Sequence, residues 1–250
     1  MIAFFVALED ESQGLQRHLN IVDTYSIDGA PTLVGDWQGR SVMLCRTGLG
    51  RRAEAIAGQV IERFPTKSVV SLGFAGALIP QLKIGDLLFC QQVFYANDSE
   101  DNTGEGQTVH SDPHLLALAQ AAAEHQGIPH HLGASVTVSR IASPKDKRKL
   151  AKTWPAHLVE MENFWLGRVA AAHDIPFLAV RAVLDELDDW VPNANLVDET
   201  GVVQRQKVMA YLARHPGRTR DLMRLGANVG KAADSLTAWG MALLEQWEGQ

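Results

Sequence analysis

The sequence predicts an α/β fold: a single three-layer α/β/α domain over residues 1–250, with a central mixed, mostly parallel sheet and a helical C-terminal extension over 208–250. Three observations predict it. Apolar runs of strand length alternate with amphipathic stretches of helix length, the pattern of a sheet covered on both faces. No run rich in Pro, Ser or Gly divides the chain, which is long enough to bury a large core. After Leu187 the strand-like runs stop and helical periodicity takes over.

Ile2 to Leu8 reads as a buried first strand and Gln13 to Leu19 as the helix after it. Thr32 to Trp37, followed by Gly39, reads as a hairpin strand leading into Ser41 to Arg46, which makes the sheet mixed. Further strands are expected at Ser68 to Leu72, Asp86 to Tyr95, His131 to Val138, Leu158 to Glu160 and Phe177 to Val183. Helices are expected at Arg52 to Phe64, Pro113 to Gln126, Lys145 to Thr153 and Asn163 to His173. The polar stretch Asn97 to Gln107 reads as a long loop over the site. In the tail, His215-Pro216-Gly217 separates a helix at Val208 to Leu212 from one at Arg218 to Glu245. Leu222, Leu225, Val229, Leu236, Trp239 and Leu243 form an apolar stripe on the second helix, and Arg214, Arg218, Arg220, Arg224 and Lys231 take other faces. That pattern suits a helix packed on the sheet with a solvated basic face. It also suits a weak contact with an anionic membrane surface or an amphiphilic substrate.

The net charge is -6, from 23 basic and 29 acidic residues, which argues against a nucleic-acid surface and for a small-molecule partner. Cys45 and Cys90 fall in apolar runs, as buried thiols of a reducing compartment do, and no His, Cys and acid set has metal-ligand spacing. The first apolar run is short and lacks a basic leader, so a cytoplasmic protein is expected.

Acids stand at the ends of three predicted strands. Glu11 follows the first, Glu160 and Glu162 lie in Val159-Glu160-Met161-Glu162, and Asp185 closes Arg181-Ala182-Val183-Leu184-Asp185. In an open α/β sheet the ligand crevice lies beyond the carboxyl ends of the strands, where Glu11, Asp185 and a turn at Gly73 to Gly76 would meet. Each acid also has a plainer reading. Acids after the first strand favour a helix N-terminus; Glu160 or Glu162 suits a cap on the helix at Asn163; Asp185 suits an ion pair with Arg181 or Arg140. Asp188 and Asp189 suit a turn, and His110 and His114 suit the surface. Thr47-Gly48-Leu49-Gly50-Arg51-Arg52-Ala53 matches a dinucleotide-binding turn, but the next strand ends Ser71-Leu72-Gly73 without the acid that would hold a ribose.

In order, Ala7 to Glu11, Thr47 to Gly50, Gly73 to Gly76, Ile84 to Asp86, Val159 to Glu162 and Arg181 to Asp185 resemble the motifs of nucleoside phosphorylases and nucleosidases, most of all the methylthioadenosine/S-adenosylhomocysteine nucleosidase branch. The likeness spans roughly residues 1 to 190. The Arg-rich tail and Val136 to Ser143 resemble hopanoid-associated phosphorylases, which are linked to removing adenine from adenosylhopane. The resemblance implies cleavage of the N-glycosidic bond of a purine nucleoside, by water or by phosphate. It implies that Asp185 protonates the departing base, that Glu11 orients the attacking water, that Glu162 binds ribose hydroxyls and that Met161 packs on the sugar. Glu160, Phe74, Gly76, Ile141 and Arg140 are its further substrate-binding candidates, and Arg46 and Arg51 its candidate phosphate ligands. No metal and no cofactor are implied beyond phosphate as a candidate co-substrate. A homo-oligomer, a dimer first, is expected, with Trp37 and Phe94 as candidates for its face.

Three departures stand out. Leu184 replaces the family's serine beside the acid, Ile141 stands where an aromatic stacks on adenine, and Phe74 stands where phosphorylases place a phosphate-binding serine. A non-catalytic nucleoside binder on the same fold is therefore the main alternative, and a nicotinamide oxidoreductase the weaker one.

Overall fold

The computed structural model describes residues 1–96, 107–192, 196, 198 and 201–247. Strand β1 (Ile2–Val6) is buried along its whole length and leads directly into helix α1 (Glu9–Gln16). Strands β2 (Asn20–Ile27), β3 (Ala30–Trp37) and β4 (Arg40–Arg46) follow as an antiparallel meander, and β4 pairs in parallel with β1. Helix α2 (Arg52–Arg63) crosses over to β5 (Ser68–Ala77), which adds to the other side of β1. The middle of the chain supplies β6 (Leu87–Tyr95), β7 (Thr108–His110), α3 (Pro113–His125), β8 (His130–Thr137), α4 (Pro144–Thr153), β9 (Leu158–Glu160), α5 (Asn163–Ala172) and β10 (Phe177–Asp185). Two helices end it, α6 (Arg205–Arg214) and the 28-residue α7 (Thr219–Gln246), joined by a 3-10 turn at Pro216–Arg218.

The ten strands among the described residues belong to one mixed sheet, and its pairings divide evenly between parallel and antiparallel. β10 pairs with both β5 and β6, and the path β6-β8-β9-β5 returns to it, so these five strands close into a ring. Two apolar cores flank the sheet. On one face Leu15, Leu116, Leu236 and Trp239 pack on Phe4, Leu72 and Phe89; on the other Ile56, Val60, Phe164 and Leu166 pack on Phe5, Val69 and Leu88. This is the predicted layering of helices on both faces.

The structure changes several boundaries. Gly73-Phe74-Ala75-Gly76 is not a turn but part of the second half of β5, paired with β10 along its length and with β9 at Gly76. β2 and β7 were not expected, and α1 starts at Glu9 rather than Gln13. Phe94 is buried against Trp154, with ring centroids 5.5 Å apart, which removes it from any oligomer face. The expected loop Asn97 to Gln107 lies, but for Gln107, outside the described residues. No helix among the described residues is long and apolar enough to cross a membrane.

Candidate active site

β5 and β10 run side by side, and their register sets the site. Arg181 lies opposite Gly73 and Asp185 opposite Gly76, with an irregularity between Val183 and Asp185 that re-aims the last residue. Each glycine clears the path of charged side chains. A Cβ on Gly73 would fall on Arg181 Nη1 and lie 2.7 Å from Glu11 Oε1. On Gly76 it would lie 2.8 Å from Lys147 Cε and 3.0 Å from Asp185 Oδ2. Both glycines are needed for close approach, which is why a strand carries them.

Glu11 sits in the first turn of α1 and is buried. Its Oε2 accepts the N–H groups of Ala7 at 2.7 Å and Leu8 at 2.8 Å, and its Oε1 accepts that of Phe74 at 2.8 Å. The helix-terminus role and the crevice-facing role therefore coincide in one carboxylate. Burial raises its carboxyl above the ordinary range, opposed by Arg181 and by these three donors.

Glu160 and Glu162 divide their labour. Glu160 Oε2 accepts the backbone N–H of Glu162 at 2.7 Å and of Asn163 at 2.6 Å, and Thr137 donates to Oε1, so Glu160 satisfies backbone donors at the start of α5. Glu162 Oε1 accepts one backbone donor, Gly50 N–H at 2.8 Å, supplied by the Thr47-to-Gly50 turn in which Gly48 and Gly50 both have positive φ. Burial pushes the Glu162 carboxyl up to about 8, with Glu160 and Glu11 adding to the rise and Arg181 opposing it. Arg181, itself buried, is the shared cation. It donates to Asn163 Oδ1 at 2.6 Å and Ser71 Oγ at 2.9 Å, and stands 3.4 Å from Glu160 and 3.7 Å from Glu162. One guanidinium thus serves three buried acids, and burial keeps the proton on Glu162 in the empty cavity.

Asp185 pairs with neither Arg181 nor Arg140. Its partner is Lys147, in the first turn of α4, whose side chain is 1% exposed. Burial raises the Asp185 carboxyl while Lys147 pulls it down.

Glu11, Glu160, Glu162, Asp185 and Lys147 line one cavity of about 570 Å³, and Arg181 stands behind it. Phe74, Gly76, Arg140, Ile141 and Met161 line it as expected. The acids form its floor, and its roof is apolar, with Val208 from α6 and Leu222, Leu225 and Val229 from α7. The stripe on α7 is thus split: its first half faces the cavity, while Leu236, Trp239 and Leu243 join the core. Arg46 and Arg51 are not brought to the cavity. Arg46 pairs with Glu9 at 3.3 Å, and Arg51 pairs with Glu54 at 3.1 Å and stacks over Trp165. Lys147 was missed from the sequence, because a lysine in an otherwise polar helix reads as solvated.

A family model described as the phosphorylase superfamily matches residues 1–214. The chain belongs to that superfamily. A 5'-methylthioadenosine/S-adenosylhomocysteine nucleosidase of Staphylococcus epidermidis is 32% identical over 196 residues, 74% of this chain and 86% of the relative. The nucleosidase of the same name from Listeria monocytogenes is 27% identical over 204 residues, 74% of this chain and 85% of the relative. Two solved structures share the fold, each with a TM-score of 0.78. One is the futalosine hydrolase of Helicobacter pylori, at 18% identity over 98% of this chain and 97% of that one. The other is a Neisseria meningitidis methylthioadenosine/S-adenosylhomocysteine nucleosidase in complex with methylthio-immucillin-A, at 19% identity over 98% and 99%.

Proposed function

We propose that this protein is an enzyme cleaving the N-glycosidic bond of an adenine nucleoside whose 5' substituent is large and apolar, with water as the nucleophile. The observation that carries the reading is the convergence of Glu11, Glu162 and Asp185 on one cavity with an acidic floor and an apolar roof. Bond cleavage at the sugar develops positive charge on the ring, and buried carboxylates stabilise that charge more than they stabilise the neutral substrate. Asp185 stands apart from the glutamate cluster, across Gly76, where it can serve the departing base while Glu11 and Glu162 serve the sugar and the nucleophile. Family membership and the named activity of the 32% identical relative support the same chemistry.

Water is favoured over phosphate by electrostatics. A phosphate placed beside Glu11, Glu160 and Glu162 would meet three buried acids, and the arginines expected to hold it are paired elsewhere. The roof favours a nucleoside with an extended hydrocarbon at the 5' position, of the adenosylhopane kind, since Leu222, Leu225 and Val229 offer no polar partner to a short hydrophilic one. Exposed Met209 and Met223 beside Lys207, Arg214 and Arg220 on the same two helices support a weak contact with the anionic surface in which such a tail dissolves.

The test is release of free adenine from adenosine, methylthioadenosine and an alkyl-extended adenosine, with and without phosphate, the sugar product being identified by mass. Phosphate-independent release of free sugar, fastest for the extended substrate, is expected. Ribose 1-phosphate as the product would replace water by phosphate, and binding without release would overturn the enzymatic reading.

A further inference from the structure

Helix α4 is mostly polar, and its one buried residue is Lys147. A cation in the first turn of a helix is opposed by the helix dipole, and a buried ammonium is costly unless its protons are all placed. Here they are: Nζ donates to the Asp185 carboxylate, to the Glu186 carbonyl at 2.6 Å and, more weakly, to the Asp185 carbonyl at 3.4 Å. The path is kept open by Gly76, whose missing Cβ would lie 2.8 Å from Lys147 Cε. Ser143 and Asp146 fix the start of α4 through reciprocal bonds, Ser143 N–H to Asp146 at 3.0 Å and Asp146 N–H to Ser143 at 3.2 Å, so the lysine is aimed rather than loosely placed. The other charges facing Asp185 are engaged. Asp189 pairs with Arg224 of α7 at 3.3 Å, Glu186 pairs with Lys83 at 3.0 Å, and Arg140 lines the cavity as a further cation.

The geometry points to Lys147 as the source of the proton that Asp185 passes to the departing base, so that the acid of this site is the Lys147–Asp185 pair and not a lone carboxylic acid. The inference rests on the nucleoside-cleaving reading above. At rest the nitrogen holds the proton, giving ammonium and carboxylate. As the N-glycosidic bond breaks, its electron pair moves onto the base, while the attacking water bonds to the sugar carbon and gives up one proton. Nζ passes a proton to the Asp185 carboxylate, and the carboxyl group so formed passes it to a ring nitrogen of the base. The neutral base, the carboxylate and a neutral amine remain, and water reaching the vacated cavity returns a proton to the amine. A lone buried carboxylic acid loses its function as pH rises through its own value, whereas the Lys147 ammonium in contact with Asp185 offers the pair a second source of protons.

The experiment is kcat and KM against pH, from 5 to 9, for the wild type, Lys147→Arg and Lys147→Met with an adenine nucleoside, each variant being checked by thermal unfolding. The wild type should hold its kcat to higher pH than Lys147→Met does. Lys147→Arg keeps the charge but cannot release its proton, so kcat should fall by about 100-fold or more at every pH, with KM within about threefold, on the scale of a lost general acid. Lys147→Met leaves Asp185 to act alone, and its kcat should decline about tenfold per pH unit at the alkaline end. Near-wild-type turnover by Lys147→Arg, or a Lys147→Met profile parallel to that of the wild type, would overturn the inference. If the methionine variant does not fold, the arginine variant decides alone. No adenine release by the wild type at any pH would instead reject the nucleoside-cleaving reading, and this inference with it.

Discussion

Replacing Glu162 by Gln turns the acidic floor into a measurable quantity. In the empty cavity Glu162 holds its proton up to about pH 8, because burial outweighs the attraction of Arg181, whereas in the unfolded chain it releases the proton near its ordinary value of 4.5. An acid whose folded value is raised adds stability that is complete below its unfolded value and is lost as pH rises through the folded one. Between pH 6 and the folded value lie two pH units, and each unit is worth 1.36 kcal/mol, so the wild type loses roughly 3 kcal/mol between pH 6 and 9 through this group alone. Glutamine copies the shape of the protonated acid, keeps an oxygen for the Gly50 N–H and does not titrate. Urea unfolding at pH 6 and pH 9 gives the comparison. The variant should be more stable than the wild type by about 2 kcal/mol at pH 6, which lies above the unfolded value, and by roughly 5 kcal/mol at pH 9, a gap that widens by roughly 3 kcal/mol. An unchanged difference between the two pH values would mean that Glu162 is already ionised at pH 6, and the account of burial prevailing over Arg181 would fail.

Other outcomes follow from the same geometry. Asp185→Asn should keep nucleoside binding within a few-fold and lower kcat by about 100-fold or more, the scale of a lost general acid; calorimetry beside steady-state kinetics separates the two. Gly76→Ala drives a methyl group against Lys147 and Asp185, so stability should fall by about 1–3 kcal/mol and turnover should fall with it, as thermal unfolding and rate assays would register. Arg181→Met removes the cation from between Glu160 and Glu162, and breaking such a buried arrangement should cost about 3–5 kcal/mol, read by denaturant titration. Leu225→Asp, in the cavity roof, should raise KM for an alkyl-extended adenosine by about tenfold, the scale of a disturbed apolar contact, while adenosine itself is little affected.

The sequence carried the acids well because their positions follow from strand ends, and strand ends follow from where apolar runs stop. Glu11, Glu162 and Asp185 needed only the scaffold to meet. What it hid was the meaning of its glycines. Gly73 and Gly76 read as a turn, since glycine has no side chain to mark a strand, but in the fold they are the gaps through which Arg181, Glu11 and Lys147 pass. Lys147 left no mark of its own, because burial of a lysine shows neither in hydrophobic periodicity nor in composition. β2 was hidden for a related reason: most of its residues are exposed or half-buried on both faces at the sheet edge, so it shows no clean alternation. Where a side chain's partner is distant in sequence, as with Lys147 and Asp185, only the fold reveals the pair.

The long last helix gives the molecule a ruler. Its C-terminal half is fixed in the core by Leu236 and Trp239, whose indole N–H donates to the Ala119 carbonyl at 3.1 Å, so its N-terminal half projects over the cavity at a set angle and height. From Leu222 to Val229 that arm spans about 10 Å at 1.5 Å per residue. Because the arm and the acids sit on separate elements, exchanging its three apolar side chains would retune which tail length is accepted without altering a single group that meets the sugar or the base. A one-residue insertion between arm and anchor, by contrast, would swing the whole arm by about 100° and present its polar side to the substrate.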